Sequence, residues 1–280
     1  MAKAASNEWQ VALPLTLFFI LFFIAPLALL LSVSFYNESQ MLTTGLAQYV
    51  NFFGRAINFE VLLDTLILGA KATLLCLVFA YPIAWTITKA SARWQPVLIF
   101  IVILPILTSV VVRSFAWIVM LSRQGIINQT LLALGIVDEP LSLLFSETGV
   151  LIVLAQVQMP LMVLPLMTNL QQIDPNLADA SAALGAGYWR TFWKVIFPLS
   201  LPGIIAGSIL VYAASVTAFV TQTLIGGARL LYMPLFIYQE ALDLQNWPFA
   251  AALSVIFMVS VLLVVAALNV VGRASKASAL

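Results

Sequence analysis

Six runs of this sequence are apolar for more than twenty residues each, and that length decides the class of fold. They are Val11–Phe35, Leu62–Thr88, Pro96–Leu121, Thr148–Leu170, Gly203–Leu224 and Pro248–Val271. A helix rises ~1.5 Å per residue, so about twenty apolar residues cross the ~30 Å hydrocarbon core of a bilayer. Lipid offers backbone groups no partners, which leaves only helices and closed barrels as spanning structures. Continuous apolar runs of this length, without alternation, are helices. Composition agrees: 63% of residues are hydrophobic and 8% charged, against about a quarter charged in soluble domains. The expectation is an all-α membrane protein with six transmembrane helices.

The first run exceeds the ~7–15 apolar residues of a signal peptide. It is therefore read as an uncleaved helix, although Ser32 and Ser34 are small enough for a cleavage site. Residues 1–61 are expected to form this helix and a polar connector, Tyr36–Phe59, whose Tyr49, Phe52 and Phe53 suit a membrane interface. Residues 62–271 form the main transmembrane domain, and 272–280 a short basic tail. With both termini inside, the inner segments hold Lys3, Lys89, Arg93, Arg190, Lys194, Arg273 and Lys276, and the outer connectors only Arg55, Arg123 and Arg229. Cytoplasmic loops carry the excess of Lys and Arg, so seven against three favours this orientation.

Absences narrow the chemistry. The chain has no His and one cysteine, Cys76, which excludes an internal disulfide and any His- or Cys-cluster metal site. Cys76 lies in an apolar run and reads as a small buried side chain. No Gly-x-x-x-x-Gly-Lys-Ser/Thr phosphate loop is present, and Gly226-Gly227 is a turn pair without the lysine. A process driven by ATP would need a separate ATPase subunit. No nucleic-acid partner is expected.

One polar stretch, Asp174–Pro202, interrupts the apolar blocks (DPNLADASAALGAGYWRTFWKVIFPLSLP). Asp174 is placed to cap a helix with Pro175 at its first position. Gly185-Ala186-Gly187 ends that helix, because glycine accepts the left-handed conformation a helix stop needs. Tyr188–Phe197 restarts as a short amphipathic segment, with Tyr188, Phe192 and Val195 on one side and Arg190 and Lys194 on another. Pro198 and Pro202 are expected to stop it and start the next span.

Asp179-Ala180-Ser181, Gly185, Val195 and Phe197-Pro198 resemble the EAA loop of ATP-binding-cassette (ABC) importer permeases. That pattern is Glu-Ala-Ala, three residues, Gly, nine residues, then Ile-x-Leu-Pro. The spacing fits throughout, and the departures at Asp179, Ser181, Val195 and Phe197 are conservative. The resemblance extends from about Asp64 to about Val271. Within it, Ile225-Gly-Gly-Ala-Arg229 and Asn246-Trp-Pro-Phe249 look most like the spermidine/putrescine branch. It implies the type I ABC importer transmembrane fold, with Asp179, Ala180, Ser181, Gly185, Val195 and Pro198 in a cytoplasmic coupling loop. The Asp179–Leu184 helix would sit in a groove of a cytoplasmic ATPase dimer that uses ATP and Mg²⁺, while this chain binds no cofactor. It also implies a second, similar permease subunit and a periplasmic or extracellular substrate-binding protein, in a bacterial inner membrane. As a surface helix with an ordinary glycine stop, the same segment would have no coupling role.

Polar residues inside spans are candidates for the substrate path. Ser208, Tyr212, Ser215, Phe219 and Gln222 are spaced four, three, four and three apart, which on one unbroken helix is a single face. Interhelical packing is the other reading of such a stripe. Gln156 and Gln158 lie near Pro160 and Pro165, which free backbone carbonyls. Asp64 and Lys71 share a face two turns apart. Arg113, well inside the third span, is able to partner Asp64 or line a cavity. Acidic residues outnumber the three arginines of the outer connectors, which suits cationic cargo such as a polyamine. The resemblance leaves opines, aminophosphonates and oxyanions open as well. Two classes compete with the importer. A membrane enzyme lacks a catalytic constellation. A secondary carrier would work without an ATPase and show an internal repeat, of which none is clear.

Overall fold

A computed structural model describes residues 13–277, apart from the side chains of residues 228, 271 and 273–277. Lys3 and residues 278–280 lie outside the described residues, as do the side chains of Arg273 and Lys276. The described residues are helical with no strand; Tyr36 and Thr44 form an isolated bridge. Among the described residues, six helices are long and apolar enough to cross a membrane: α1 (Leu13–Val33), α2 (Ala56–Lys89), a third over Val110–Ala133, α3 (Glu147–Gln171), α4 (Tyr188–Val216) and a sixth over Trp247–Val270.

Three sequence expectations are corrected. The third span is not one helix from Pro96 to Leu121. It is two helices, α5 (Gln95–Leu107) and α6 (Val110–Leu121), with Thr108 and Ser109 extended between them. Pro105 has no N–H for the preceding turn, and the hydroxyl residues that follow compete for backbone bonds. Second, Pro198 and Pro202 do not stop a helix. A π turn at Phe192–Ile196, closed by the Phe197 N–H on the Phe192 carbonyl, runs straight into Phe197–Val216. The wider turn gives the chain room to pass Pro198 without breaking. Third, the fifth span ends at Val216. After Thr217 and Ala218, a separate helix, α7, covers Phe219–Gly226.

The chain divides into two compact units. One comprises residues 13–61 of the described chain with Leu235–Ser260. No residue of α1 is buried, and its Phe18/Phe22 and Phe19/Phe23 pairs stack one turn apart. Beyond it, Ser34 Oγ meets Tyr49 OH at 2.7 Å, and Gln48 Nε2 donates to the Asn37 carbonyl at 2.8 Å. Asn246 Nδ2 donates to Glu240 Oε2 at 3.4 Å.

The other unit comprises Leu62–Pro234 and Val261 onward. Its centre is α3, which is buried at consecutive positions Val153, Leu154 and Ala155 and so is enclosed on several sides. One apolar cluster joins Cys76, Ala80 and Ala84 of α2 to Met162 and Leu166 of α3 and Ile204 and Val211 of α4. A second joins Leu68, Leu121, Val150, Leu154 and Ile225. Cys76 is buried, as its apolar setting foretells. In lipid, apolar burial does little to pull helices together, so close packing of small residues carries the association. Gly203 and Gly207 of α4 lie one turn apart against α3. A Cβ on Gly203 would sit 2.7 Å from Asn169 Cβ, and one on Gly207 2.6 Å from Met162 Sδ and 3.1 Å from Met162 Cα.

Gly207→Val should therefore overpack this crossing and destabilise the unit by about 1–3 kcal/mol; a thermal unfolding curve in detergent checks it. In the smaller unit, burial raises the Glu240 carboxyl above its usual 4.5, against the lowering effects of Asn246 and Arg55. A raised acid favours the protonated folded form, so stability falls as pH rises past 4.5. Glu240→Gln should raise the melting temperature at pH 8, with the gain vanishing below about pH 4.5.

Candidate coupling loop and translocation cleft

The Asp174–Pro202 stretch folds as its residues require. Asp174 Oδ1 accepts the Asn176 N–H at 2.9 Å, which starts α8 (Asn176–Ala183). Its end is a glycine stop. Gly185 has φ +81; its N–H bonds to the Ala182 carbonyl at 2.9 Å, and the Ala186 N–H to the Ser181 carbonyl at 3.1 Å. This paired 5→2 and 6→1 closure satisfies carbonyls that would otherwise be orphaned. A Cβ at Gly185 would meet nothing within 4 Å, so backbone conformation alone demands glycine there.

Asp179 and Ala180 are exposed, while Ser181 is half-buried, its Oγ 3.0 Å from Thr191 Oγ1. That bond ties α8 to the first turn of α4. Leu184 is 90% exposed, an extreme for a leucine, and Tyr188, Trp189 and Trp193 are exposed beside it. Val195 and Pro198 are half-buried within and just after the π turn. Behind α8 lies a cavity of about 350 Å³ lined by Trp85, Lys89, Asp174, Leu177, Asp179 and Ile196 among others. Lys89 Nζ rests 5.1 Å from the centre of the Trp85 ring, and Phe192 packs edge-on to Tyr81, Trp85 and Trp193.

The path candidates separate into three places. Arg113 and Gln156 share an open cleft of about 370 Å³ with Pro105, Thr108, Trp117 and Met120. Arg113 Nη1 donates to the Pro105 carbonyl and lies 3.4 Å from Thr108 Oγ1, so it partners the helix break rather than Asp64. Trp117 Nε1 donates to Gln156 Oε1 at 3.2 Å. Trp117 escaped the sequence reading, although it lies four residues from Arg113, hence on the same helix face.

Asp64 is exposed elsewhere. Nearby, Lys71 pairs with Glu147 at 2.6 Å, both about half exposed. Burial pushes the Tyr232 phenol up to about 12, with the charges of Glu147 and Asp64 adding to the effect.

On α4, Ser208 is half-buried while Tyr212 and Ser215 are buried, and Gln222 is buried on α7. Gln222 Nε2 donates to the carbonyls of Ser215 at 2.8 Å and Val216 at 3.3 Å, capping α4 across its break. Tyr212 OH, Ser215 Oγ and Gln222 Oε1 have no hydrogen-bond partner among the described residues. The single face inferred from spacing does not persist, because the helix stops between Ser215 and Phe219. Among the described residues no group of His, Cys, Asp and Glu could hold a metal ion.

Comparison with known proteins gives this geometry its context. Residues 4–276 match the protein family described as binding-protein-dependent transport system inner membrane component. The spermidine/putrescine transport system permease protein PotB of Salmonella typhimurium (strain SL1344) is 34% identical over 239 residues, 84% of this chain and 83% of that protein. PotB of Haemophilus influenzae (strain ATCC 51907 / DSM 11121 / KW20 / Rd) is 33% identical, over 90% of each chain. The molybdenum transport system permease protein ModB of Azotobacter vinelandii is 30% identical over 71% of this chain and 88% of its own. Crystal structures of a bacterial alginate ABC transporter share the fold at 18% identity. One has a TM-score of 0.77, covering 97% of this chain and 96% of that one; the other, in complex with an alginate pentasaccharide-bound periplasmic protein, has 0.79 and covers 97% and 95%. The helical unit with its interrupted spans and the match over nearly the whole sequence agree: the chain belongs to the binding-protein-dependent transport system inner membrane components, the permease subunits of ABC importers.

Proposed function

We propose that this chain moves a polyamine, spermidine or putrescine, across the inner membrane, as one of two permease subunits driven by a cytoplasmic ATPase dimer. The observation that carries the cargo is the 34% identity to PotB over most of both chains. The chain carries no phosphate-binding loop of its own, so ATP and Mg²⁺ belong to the partner ATPase. A periplasmic binding protein delivers cargo, as the family description and the alginate complex support. Both termini are cytoplasmic in this reading, which places α8 against the ATPase. Asp179, Ala180 and Ser181 form the docking helix, Leu184 its exposed apolar tip, and Gly185 the turn that presents it. Val195 and Pro198 lead the stroke into α4.

An oxyanion cargo is the second reading. Arg113 stands in the cleft with no carboxylate among its lining residues, and a molybdenum permease is 30% identical. Uptake into proteoliposomes holding the complete transporter and its binding protein distinguishes the two. ATP-dependent accumulation of labelled spermidine or putrescine, uncompeted by molybdate, is the expected result. Molybdate accumulation without polyamine uptake overturns the cargo assignment.

The coupling role has its own measurement. A β-branched residue at φ +81 strains the stop by ~1–2 kcal/mol, about a tenfold change in an opening equilibrium. Gly185→Val should speed hydrogen exchange of the Asn176–Ala183 amides by about that factor and reduce uptake more than ATP hydrolysis. Gly185→Asn should lie between it and the native protein. Native uptake by the Val variant would remove Gly185 from the coupling role.

A further inference from the structure

At the end of α3 away from Asp174, two arginines flank a cavity of about 360 Å³. It is lined by Leu121, Ser122, Arg123, Leu141–Phe145 and Arg229. Helix α3 has 25 residues, so this cavity and the α8 loop lie about 37 Å apart along it at ~1.5 Å per residue. Under the orientation proposed above, the cavity opens to the periplasm.

Its walls are held mainly by bonds that do not use the guanidinium groups. Asn128 is fully buried. Its Nδ2 donates to the carbonyls of Ser122 and Leu141, each at 3.0 Å, and its Oδ1 accepts the Leu141 N–H at 2.8 Å. The Phe145 N–H bonds to the Ile225 carbonyl at 3.0 Å. Gly227, at φ +63, lies so close to the Phe145 ring that a Cβ would stand 2.6 Å from it. The two connectors that carry Arg123 and Arg229 are thus joined into one preformed rim.

Neither arginine has a carboxylate within salt-bridge distance among the described residues, where Lys71–Glu147 is the ion pair formed. Arg123 Nη2 makes one bond, to Ser142 Oγ at 3.2 Å. Asp138 and Glu139 lie on the same connector but are exposed and do not pair with either. A guanidinium presents a planar fork of donors that suits carboxylates, and a rim fixed in advance loses little entropy on binding. A cationic cargo is repelled by this site, so it is no entrance for a polyamine.

We propose that the Arg123/Arg229 cavity receives carboxylate side chains of the substrate-binding protein and fixes its seat on this subunit. The inference rests on the importer reading above and adds the residues and the charge of the contact.

The test uses the complete transporter in nanodiscs and its polyamine-loaded binding protein, with the dissociation constant measured from 50 to 300 mM salt. The double variant Arg123→Glu/Arg229→Glu should weaken binding at least tenfold and flatten its salt dependence, because screening acts on the charges removed. Arg55→Glu, another connector arginine, should bind as the native protein does. An Asp→Lys or Glu→Lys change on the binding protein should restore affinity to the double variant and weaken it for the native transporter. The milder Arg123→Gln/Arg229→Gln pair should fall between, and serves where the charge reversal prevents assembly. Affinity within twofold of native for the Gln pair, or an equal loss in Arg55→Glu, overturns the inference while the importer reading stands. Failure of the native transporter to bind any loaded binding protein overturns both.

Discussion

The structure depends on one constraint: inside lipid, a backbone carbonyl released from a helix must find a partner within the protein, because each unsatisfied group costs several kcal/mol. This chain interrupts two of its spans and meets the constraint the same way each time. At Thr108–Ser109 the freed end of α5 is taken by Arg113, which reaches back from the next helix to the Pro105 carbonyl. At Thr217–Ala218 the freed end of α4 is taken by Gln222, which reaches back to Ser215 and Val216. Thr217 adds its own hydroxyl to the Ala213 carbonyl at 2.8 Å. A charge near a helix centre costs about 2.5–3.5 kcal/mol on insertion scales, an amount comparable to the freed carbonyls it satisfies. Arg113 is first a helix cap, and its charge in the cleft follows from that task.

The interruptions have a use because the rest of the unit is stiff. Helices α3 and α4 touch through Gly203 and Gly207, where no side chain larger than hydrogen fits without displacement. Packing this close moves as a block. The α8 loop hangs between the two helices, joined to α4 by the Ser181–Thr191 bond and the aromatic cluster around Phe192. In the coupling role proposed above, those contacts would pass a push on α8 to α4 with little loss in side-chain rearrangement. The block ends at Val216, where the helix is broken.

The amino-acid order made some of this legible and hid the rest for identifiable reasons. Span number follows from length and hydropathy, and the Gly185 turn from a glycine placed after an Ala-rich helix; φ +81 bears out the backbone argument. The break at Thr217-Ala218 escaped, because it contains neither glycine nor proline and the apolar run continues across it; at the other, Pro105 marks a weak point, but nothing in the order shows that Thr108-Ser109 open fully. Pro198 and Pro202 misled in the opposite direction: nothing in composition marks the π turn that makes room for Pro198, and the helix continues through Pro202. The Ser208-to-Gln222 face assumed an unbroken helix, so its arithmetic failed at Thr217. The Gly203/Gly207 pair was readable as a close-contact motif, and its partner on α3 was not: spacing names the small residue, not the surface it meets.

The position of Arg113 bears on how a permease of this kind divides its labour. At an effective dielectric of about 20, two like charges about 8 Å apart repel by about 2 kcal/mol. A multiply charged amine held beside Arg113 would meet that penalty for each ammonium at that distance. No carboxylate lines the cleft to offset it; Trp117 and Gln156 offer an aromatic face and an amide instead. If the cleft lies on the proposed path, its lining would suit passage of a cation rather than storage. Under the polyamine reading proposed above, charge recognition would belong upstream, at the binding protein, rather than at this cleft.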